Sequence, residues 1–474
     1  MFLETSSLRW SFMLLLQAMI LKFYGATQGV TGSNFLLEST DKKTGKNIQV
    51  MVDCGLHQGS HYCERHNFEP FPYNPKEIKA VFITHAHIDH SGLLPKLYRH
   101  GSRGKVFGTS PTRDFVYALL VDSEDILKRE AAREKQKPLY DTKDVDGLMT
   151  LWEDVAFDKE IEFHGLKIVF KNAGHILGSS SVIIKADGRS VLFSGDIGNT
   201  SPVLINHFDK IEESIDYCLM ESTYGARLHE GIDDSKELLE NVVEDTVHAG
   251  GALMIPAFAM ERTQRLLYEL NDLIEKCRIP KVPVFIDSPL AIKLTDIYHK
   301  YHDYFSKEAG EIMSGGDRLF NFPGLHFTPT TEESKKINDF KPPKIIIAGS
   351  GMSNGGRILH HEIRYLPDPK STILFIGYQA AGSLGRRILD GEKIIKIFGE
   401  EVHVRCRVVS IGGYSAHADQ KGLLEWLKPM RATLKKVFLV HGEPEQSNEL
   451  ASQIRDHMAV EAVTPSLNEE IVLE

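Results

Sequence analysis

Three imidazoles and one carboxylate lie within six residues of this chain, at His85, His87, Asp89 and His90. They follow the apolar run 80–83, which predicts a strand that ends where the polar side chains begin. Imidazole nitrogen and carboxylate oxygen are ligands that zinc accepts, and a set without thiolates indicates a hydrolytic metal rather than a closed structural one. One zinc ion does not need all four of these side chains, so His85 and His87 could bind one ion while Asp89 and His90 turn toward a second.

The remaining ligands of a two-metal site must come from elsewhere in the chain, and three other polar residues follow short apolar runs. Each has a glycine beside it, which fits a tight turn where the backbone passes close to a bound group. Singly, each residue is more typical of an ordinary loop, but the shared pattern favours one common site. The residues are His175 after 166–170, Asp196 after 190–193 and His441 after 437–440, with glycines at 174, 195 and 442.

Strands and helices are expected on both sides of these turns. Residues with alternating apolar positions predict early strands, and apolar positions at helical spacing predict later helices. The predicted strands are 20–24, 34–38 and 48–53, and the predicted helices are 111–130, 235–247 and 263–276.

The four motifs together resemble those of the metallo-β-lactamase superfamily, and the resemblance extends over nearly the whole chain from Met19. It implies an α/β fold, the αββα sandwich of that superfamily. It also implies two zinc ions per chain and a role for each residue. One zinc would be bound by His85, His87 and His175, the other by Asp89, His90 and His441, with Asp196 bridging the two.

More than two hundred residues separate Asp196 from His441, so a further domain is expected between these two ligands. Motifs at 221–225, 255–259, 287–291, 351–357 and 414–419 resemble those of the β-CASP nucleases. Within that family the chain is most similar to bacterial relatives of the cleavage-and-polyadenylation endonuclease, which are RNA-specific. The resemblance implies an N-terminal extension at 1–18, a metallo-β-lactamase first part at 19–224, an inserted α/β β-CASP domain at 225–387, and a C-terminal metallo-β-lactamase part with the RNA-metabolising motif at 388–474.

The β-CASP resemblance also implies the catalytic residues Asp89, Glu221 and His417. A hydroxide activated by both zinc ions and oriented by Asp89 would attack RNA, and His417 would protonate the departing ribose oxygen as general acid. Glu221 would orient His417, for which a packing role is the alternative. His441 occupies the third motif, where a DNA-processing branch carries valine, so it favours RNA.

A glycine-rich turn at 350–357 follows the apolar run 345–347, and its backbone N–H groups can bind a phosphate. A simple turn is the alternative, but Arg357 adds a bidentate phosphate donor. Ala381 stands where relatives usually carry a larger, often acidic residue, which leaves substrate contacts there open. The expected substrate-binding residues are Ser350, Gly351, Asn354, Gly356, Arg357 and Arg386.

The composition is that of a globular enzyme of two to three domains, with 42% hydrophobic and 25% charged residues. A net charge of −10 excludes a uniformly basic surface, so RNA binding must depend on local charge. Five cysteines without a CxxC pair indicate neither disulfides nor a zinc ribbon, which favours the cytoplasm. The apolar stretch 12–21 is too short to span a membrane, and no membrane association is expected.

The function expected from these observations is a zinc-dependent endoribonuclease that cleaves single-stranded RNA, with a 5′ exonuclease mode open. A small-molecule hydrolase is disfavoured because the insert, Glu221 and His417 would have no purpose in it. A noncatalytic RNA-binding or scaffolding subunit is the alternative from another class. A homodimer is also open.

Overall fold

The computed structural model describes residues 19–41, 44–59, 61–200, 203–229, 232–314, 319–377, 379–380 and 382–474. The expected N-terminal extension at 1–18 lies outside the described residues, as does Ala381. The chain divides into two compact units. Among the described residues, the first contains 19–200, 207–228 and 417–474, and the second contains 203–206 and 229–416.

The strands are short and mostly buried. In chain order they are β1 Met19–Phe23, β2 Phe35–Thr40, β3 Asn47–Val52, β4 Ile78–Phe82, β5 Lys105–Thr109, β6 Trp152–Val155, β7 Ile161–Phe163, β8 Leu166–Asn172, β9 Ser180–Ala186, β10 Arg189–Phe193, β11 Tyr217–Glu221, β12 Ala252–Pro256, β13 Val284–Ile286, β14 Leu325–Phe327, β15 Lys344–Ala348, β16 Thr372–Ile376, β17 Ile394–Ile397, β18 Glu400–His403, β19 Arg407–Ile411, β20 Lys436–Val440, β21 Glu461–Val463 and β22 Glu470–Leu473.

The α-helices include the three expected from the sequence, each displaced by only a few residues. Within the described ranges, none combines the length and apolar character needed to cross a membrane. In chain order they are α1 His61–Arg65, α2 Ile88–Ser91, α3 Leu94–Arg99, α4 Ser110–Arg133, α5 Thr142–Met149, α6 Ile232–Ala249, α7 Arg262–Glu275, α8 Pro289–Lys300, α9 Lys307–Ser314, α10 Thr331–Lys336, α11 Ile358–Tyr365, α12 Leu384–Leu389, α13 Gln420–Leu427 and α14 Pro444–Met458.

The first unit contains two seven-stranded sheets, in the orders β22-β1-β2-β3-β4-β5-β6 and β21-β20-β11-β10-β9-β8-β7. One apolar core lies between them and includes Phe82 and Phe107 of the first sheet and Phe170 of the second. Helix α4 contacts β5 and β6 of the first sheet, and α13 and α14 share a second core with the other sheet. This is the αββα sandwich that the sequence predicts.

The central strands β10 and β11 of the second sheet are largely apolar on both faces because both faces are buried. In β10, Val191 and Phe193 enter the core between the sheets, while Leu192 enters the core beneath the helices, with Trp426. Alternate side chains of a strand point to opposite faces, so a strand between two cores has no polar face. The uninterrupted apolar run 191–193 is explained by this position.

The second unit is built on a six-stranded sheet in the order β14-β13-β15-β12-β16-β19. Each neighbouring pair in it is parallel. The α/β insert expected from the sequence therefore has the architecture of a parallel sheet with helical crossovers. The unit continues beyond residue 387, where the insert was expected to end, to Ala416. The physical reason is that β19 pairs with β16, from Thr372↔Arg407 to Ile376↔Ile411.

Candidate metal centre

The expected metal ligands lie at the ends of strands in the first unit. Strands β10, β11 and β20 are neighbours and run parallel, so their carboxyl ends meet at one edge of the sheet. Asp196 follows β10 and His441 follows β20, while Glu221 is the last residue of β11. The loop after β4 leads through His87 into α2. Parallel pairing thus gathers residues that are far apart in sequence.

The seven expected ligands form two groups that meet at Asp196. Its Oδ2 lies 3.4 Å from His85 Nε2, and its Oδ1 lies 3.3 Å from His90 Nε2. Within each group the ligand atoms lie within 4.8 Å of one another. The groups are His85, His87, His175 and Asp196, and Asp89, His90 and His441.

The imidazoles of the first group are held in the neutral form. Burial, together with the neighbouring His85, lowers the pKa of His87 to about 3. Burial also lowers the pKa of His85, with a further contribution from His90, and it lowers the pKa of His175 well below its usual range, with His417 adding to the effect. Neutral imidazoles offer nitrogen lone pairs, the form in which histidine binds a metal.

In and around the second group, the pKa shifts favour one protonated imidazole beside ionised carboxylates. Burial acts against protonation of His90, but Asp196 and Asp53 outweigh it and raise its pKa well above the usual range. Burial similarly opposes ionisation of Asp89, whose pKa is nevertheless lowered by its hydrogen bond to His441 and the charge of His90. Asp196 is buried, yet His441, His90 and His85 hold its pKa well below the usual range. Two ionised carboxylates thus lie among the imidazoles.

The polar atoms of this cluster fit a metal better than they satisfy one another. In the part of the chain that the structure describes, Asp196 Oδ1 is buried without a hydrogen bond, while Asp196 Oδ2 lies 3.5 Å from His175 Nε2. His87 Nδ1 lies 3.0 Å from His85 Nε2 and 3.2 Å from His175 Nε2, so three ring nitrogens converge. A buried ionised carboxylate beside converging neutral nitrogens is a donor set that a cation would complete.

Asp53 orients this cluster, a role that the sequence did not reveal. Its Oδ1 accepts the Thr84 backbone N–H at 2.8 Å, and its Oδ2 accepts the Thr84 hydroxyl at 2.8 Å and His90 Nδ1 at 2.7 Å. It therefore fixes both the loop before His85 and the ring of His90, whose Nε2 is left facing Asp196. The sequence signal that could have indicated Asp53 is a polar residue after β3 with a glycine nearby. His175, Asp196 and His441 share this pattern.

His417 lies beside the cluster and is held by Glu221. Its Nδ1 lies 3.2 Å from both carboxylate oxygens of Glu221, and its Nε2 lies 3.9 Å from Asp196 Oδ2. Glu221 is fully buried, and its Oε1 accepts the Ile197 backbone N–H at 2.6 Å. Because a carboxylate only accepts, Nδ1 of His417 carries the hydrogen and Nε2 is directed toward the metal ligands.

The expected substrate-binding residues lie in the second unit, at the carboxyl ends of β15 and β16. Arg357 donates through Nη1 to Asp287 Oδ1 at 2.8 Å and to the Thr328 carbonyl at 2.6 Å, and through Nη2 to the Pro329 carbonyl at 3.1 Å. Its guanidinium thus already has protein partners.

The other residues of this set shape the turn or form a surface ion pair. Ser350 Oγ accepts the Asn354 backbone N–H at 3.1 Å, and Asn354 Oδ1 accepts the Leu384 backbone N–H at 3.0 Å. Gly351 packs under Phe258, and Gly356 has φ +77°. Arg386 pairs with Asp390 at 2.9 Å.

A thiolate-free cluster of histidine and aspartate at the strand ends of an αββα sandwich defines a metal-dependent hydrolase. Residues 32–256 match the family model of the metallo-β-lactamase superfamily, 263–388 match the Beta-Casp domain, and 401–465 match the Zn-dependent metallo-hydrolase RNA specificity domain. The chain belongs to the β-CASP family of the metallo-β-lactamase superfamily, as the sequence motifs predict.

Relatives of known name match over almost the whole chain. Ribonuclease TTHA0252 of Thermus thermophilus is 37% identical over 424 residues, covering 89% of this chain and 93% of the relative. A transcription termination factor, FttA of Methanosarcina mazei, is 33% identical, covering 92% of this chain and 69% of the relative. An RNase J-like protein of Methanocaldococcus jannaschii is 30% identical, covering 94% of this chain and 98% of the relative. A crystal structure of a protein of unknown function from Enterococcus faecalis shares the fold, with a TM-score of 0.54 and 13% identity. The match covers 96% of this chain and 100% of that one.

Replacing Asp53 with asparagine is expected to weaken metal binding by about 10- to 100-fold, because an amide cannot hold both the Thr84 donors and the His90 N–H. Asparagine tolerates the φ of +61° at this position. Metal content and competition with a chelator would measure the loss. The matched control is Asp41→Asn, which removes a 2.8 Å bond to His164 at the opposite end of β2 and β3. Equal losses in both variants would contradict a specific role for Asp53.

Proposed function

We propose that this protein is a zinc-dependent ribonuclease that cuts within single-stranded RNA and leaves 5′-phosphate and 3′-hydroxyl ends. The observation that carries the proposal is His417, held by the buried Glu221 and directed toward the ligand cluster. The match of 401–465 to an RNA specificity domain and the 37% identity to a named ribonuclease support RNA as the substrate.

Two zinc ions per chain are proposed because the ligands form two groups joined by Asp196. His85, His87 and His175 would hold one ion. Asp89, His90 and His441 would hold the other. Zinc bound there would supply Lewis-acid chemistry. It would lower the pKa of a water molecule to about 7 and offset the negative charge of a phosphate.

His417 acts as the general acid in the proposed reaction. As the P–O bond to the ribose 3′ oxygen breaks, that oxygen takes the proton from His417 Nε2 and leaves as a hydroxyl. Glu221 accepts the hydrogen bond from the N–H at Nδ1 of His417. Its negative charge stabilises the imidazolium form, as a carboxylate does in other acid–base pairs. Asp89 orients the attacking water. Its side chain is 17% exposed and lies 3.2 Å from His441 Nε2.

The relatives named transcription termination factors favour a second candidate, a role at transcription termination. The cytoplasm is the proposed location, since no disulfide joins the cysteines of the described residues. A homodimer is compatible with either candidate.

Replacing His417 with alanine is expected to lower cleavage of a 5′-labelled single-stranded RNA by about 10²- to 10⁴-fold, because the leaving oxygen loses its proton donor. Zinc content should stay at the wild-type level, since His417 lies outside both proposed ligand sets. Asp196→Ala should lose both zinc and cleavage.

The matched control for His417 is His66→Ala, another carboxylate-bonded histidine of the first unit, at 3.1 Å from Glu69. A DNA strand of the same sequence should remain uncut. Zinc loss in His417→Ala would make His417 a ligand rather than an acid. Two bound zinc ions without RNA cleavage by the wild type would instead favour a noncatalytic RNA-binding or scaffolding subunit.

The glycine-rich turn is proposed to bind RNA phosphate, and Arg357→Ala should then raise the dissociation constant of RNA at fixed salt. Binding should be measured in the His417→Ala background over a salt series, where loss of one phosphate contact reduces the salt slope by about 1. Arg407→Ala, which breaks a surface ion pair with Asp245 in the same unit, is the control. A lower melting temperature with unchanged RNA affinity would show that Arg357 only supports Asp287 and the 328–329 carbonyls.

A further inference from the structure

Three polar side chains are buried together in the second unit, away from any expected ligand. Tyr414 is 0% exposed, Glu269 is 2% exposed and Arg265 is 3% exposed. Arg265 and Glu269 lie one turn apart on α7, and Tyr414 follows β19. Charged groups are rarely buried so deeply unless their partners are fixed.

The Glu269 carboxylate uses each oxygen for a different donor. Arg265 Nε donates to Oε1 at 3.2 Å, and the Tyr414 hydroxyl donates to Oε2. The Arg265 guanidinium also lies over the Tyr414 ring, 4.6 Å from its centroid, a cation–π contact. Burial and the charge of Glu269 raise the pKa of Tyr414 well above its usual range, so the hydroxyl remains a donor at neutral pH. Without that hydroxyl, a buried carboxylate oxygen would lose its partner.

This triad anchors the chain three residues before the proposed general acid. The chain leaves the second unit at Ala416 and enters the first at His417. There the backbone is held again, by a bridge between His417 and Gly198 and by the bond from the Ala418 N–H to the Ile197 carbonyl at 2.8 Å. Three residues reach at most about 11 Å. So short a segment can absorb little of a displacement at Tyr414 before it reaches His417.

We propose that Tyr414 is a positioning residue for the proposed ribonuclease reaction: its hydrogen bond to Glu269 holds the segment 414–416 so that His417 stays aligned with the departing ribose oxygen. The inference rests on the proposed function of His417 as general acid. The hydroxyl has no direct part in the chemistry and acts only through His417. Small displacements of a catalytic group lower turnover more than substrate binding, because alignment matters most in the transition state.

The test is Tyr414→Phe, which removes only the hydroxyl. We expect kcat for cleavage of single-stranded RNA to fall about tenfold, with KM and zinc content unchanged. In the His417→Ala background the same substitution should cause no further fall, because a residue that acts through His417 has nothing left to position. Glu269→Gln, which removes the charge but keeps an acceptor, should lower kcat in the same direction.

The control is Tyr140→Phe, which removes another buried tyrosine hydroxyl, bonded to the Leu120 carbonyl at 3.1 Å, and should leave kcat unchanged. The positioning role is overturned if Tyr414→Phe keeps wild-type kcat, loses zinc, or lowers the residual activity of His417→Ala by the same factor. Failure of the proposed function is distinguishable, because His417→Ala alone would then retain full cleavage or the wild type would not cleave RNA.

Discussion

The buried carboxylate of Asp196 is the constraint on which the rest of the site depends. It is 2% exposed and has ring nitrogens of His85, His90 and His175 within 3.3 to 3.5 Å. An ionised carboxylate is costly to bury without a positive partner. Yet the imidazoles crowd one another, so burial and mutual repulsion keep His85 and His175 neutral. His90, whose pKa is raised by both Asp196 and Asp53, is the positive partner that these two carboxylates share, and a cation at the converging nitrogens would supply the further charge.

The fold gathers these groups because strands of both sheets end near one another. Asp196 belongs to the second sheet, and the loop that begins at Thr84 belongs to the first. They approach at Gly195, whose φ is +57° and whose added Cβ would lie 2.7 Å from Thr84 Cβ. A side chain at 195 would therefore separate the two ligand loops. Glycine at 195 is therefore required both for the turn and for the close approach of the two ligand loops.

The clustering of these residues could be predicted from the sequence because its signal is local: His175, Asp196 and His441 each follow a recognisable strand and turn. Asp53 shares the same local pattern, but that pattern gives no indication of its partner His90, which lies 37 residues further along the chain. The Glu269–Tyr414 contact could not be predicted, since 145 residues separate its members and the motif 414–419 gives no indication of the partner of Tyr414. The compact second unit continues to Ala416, past the end of the Beta-Casp match at 388, because β16 pairs with β19, and such long-range pairing cannot be predicted from local sequence.

The surroundings of two similar imidazoles support the different roles proposed for them. His90 and His417 both have Nδ1 facing a carboxylate, Asp53 at 2.7 Å and Glu221 at 3.2 Å, and both direct Nε2 toward Asp196. They differ in distance and access. The side chain of His90 is 2% exposed with Nε2 3.3 Å from Asp196, whereas that of His417 is 18% exposed with Nε2 at 3.9 Å. The enclosed ring is suited to a metal, which needs short, fixed contacts. The more open ring is suited to a proton donor, which a substrate oxygen must reach.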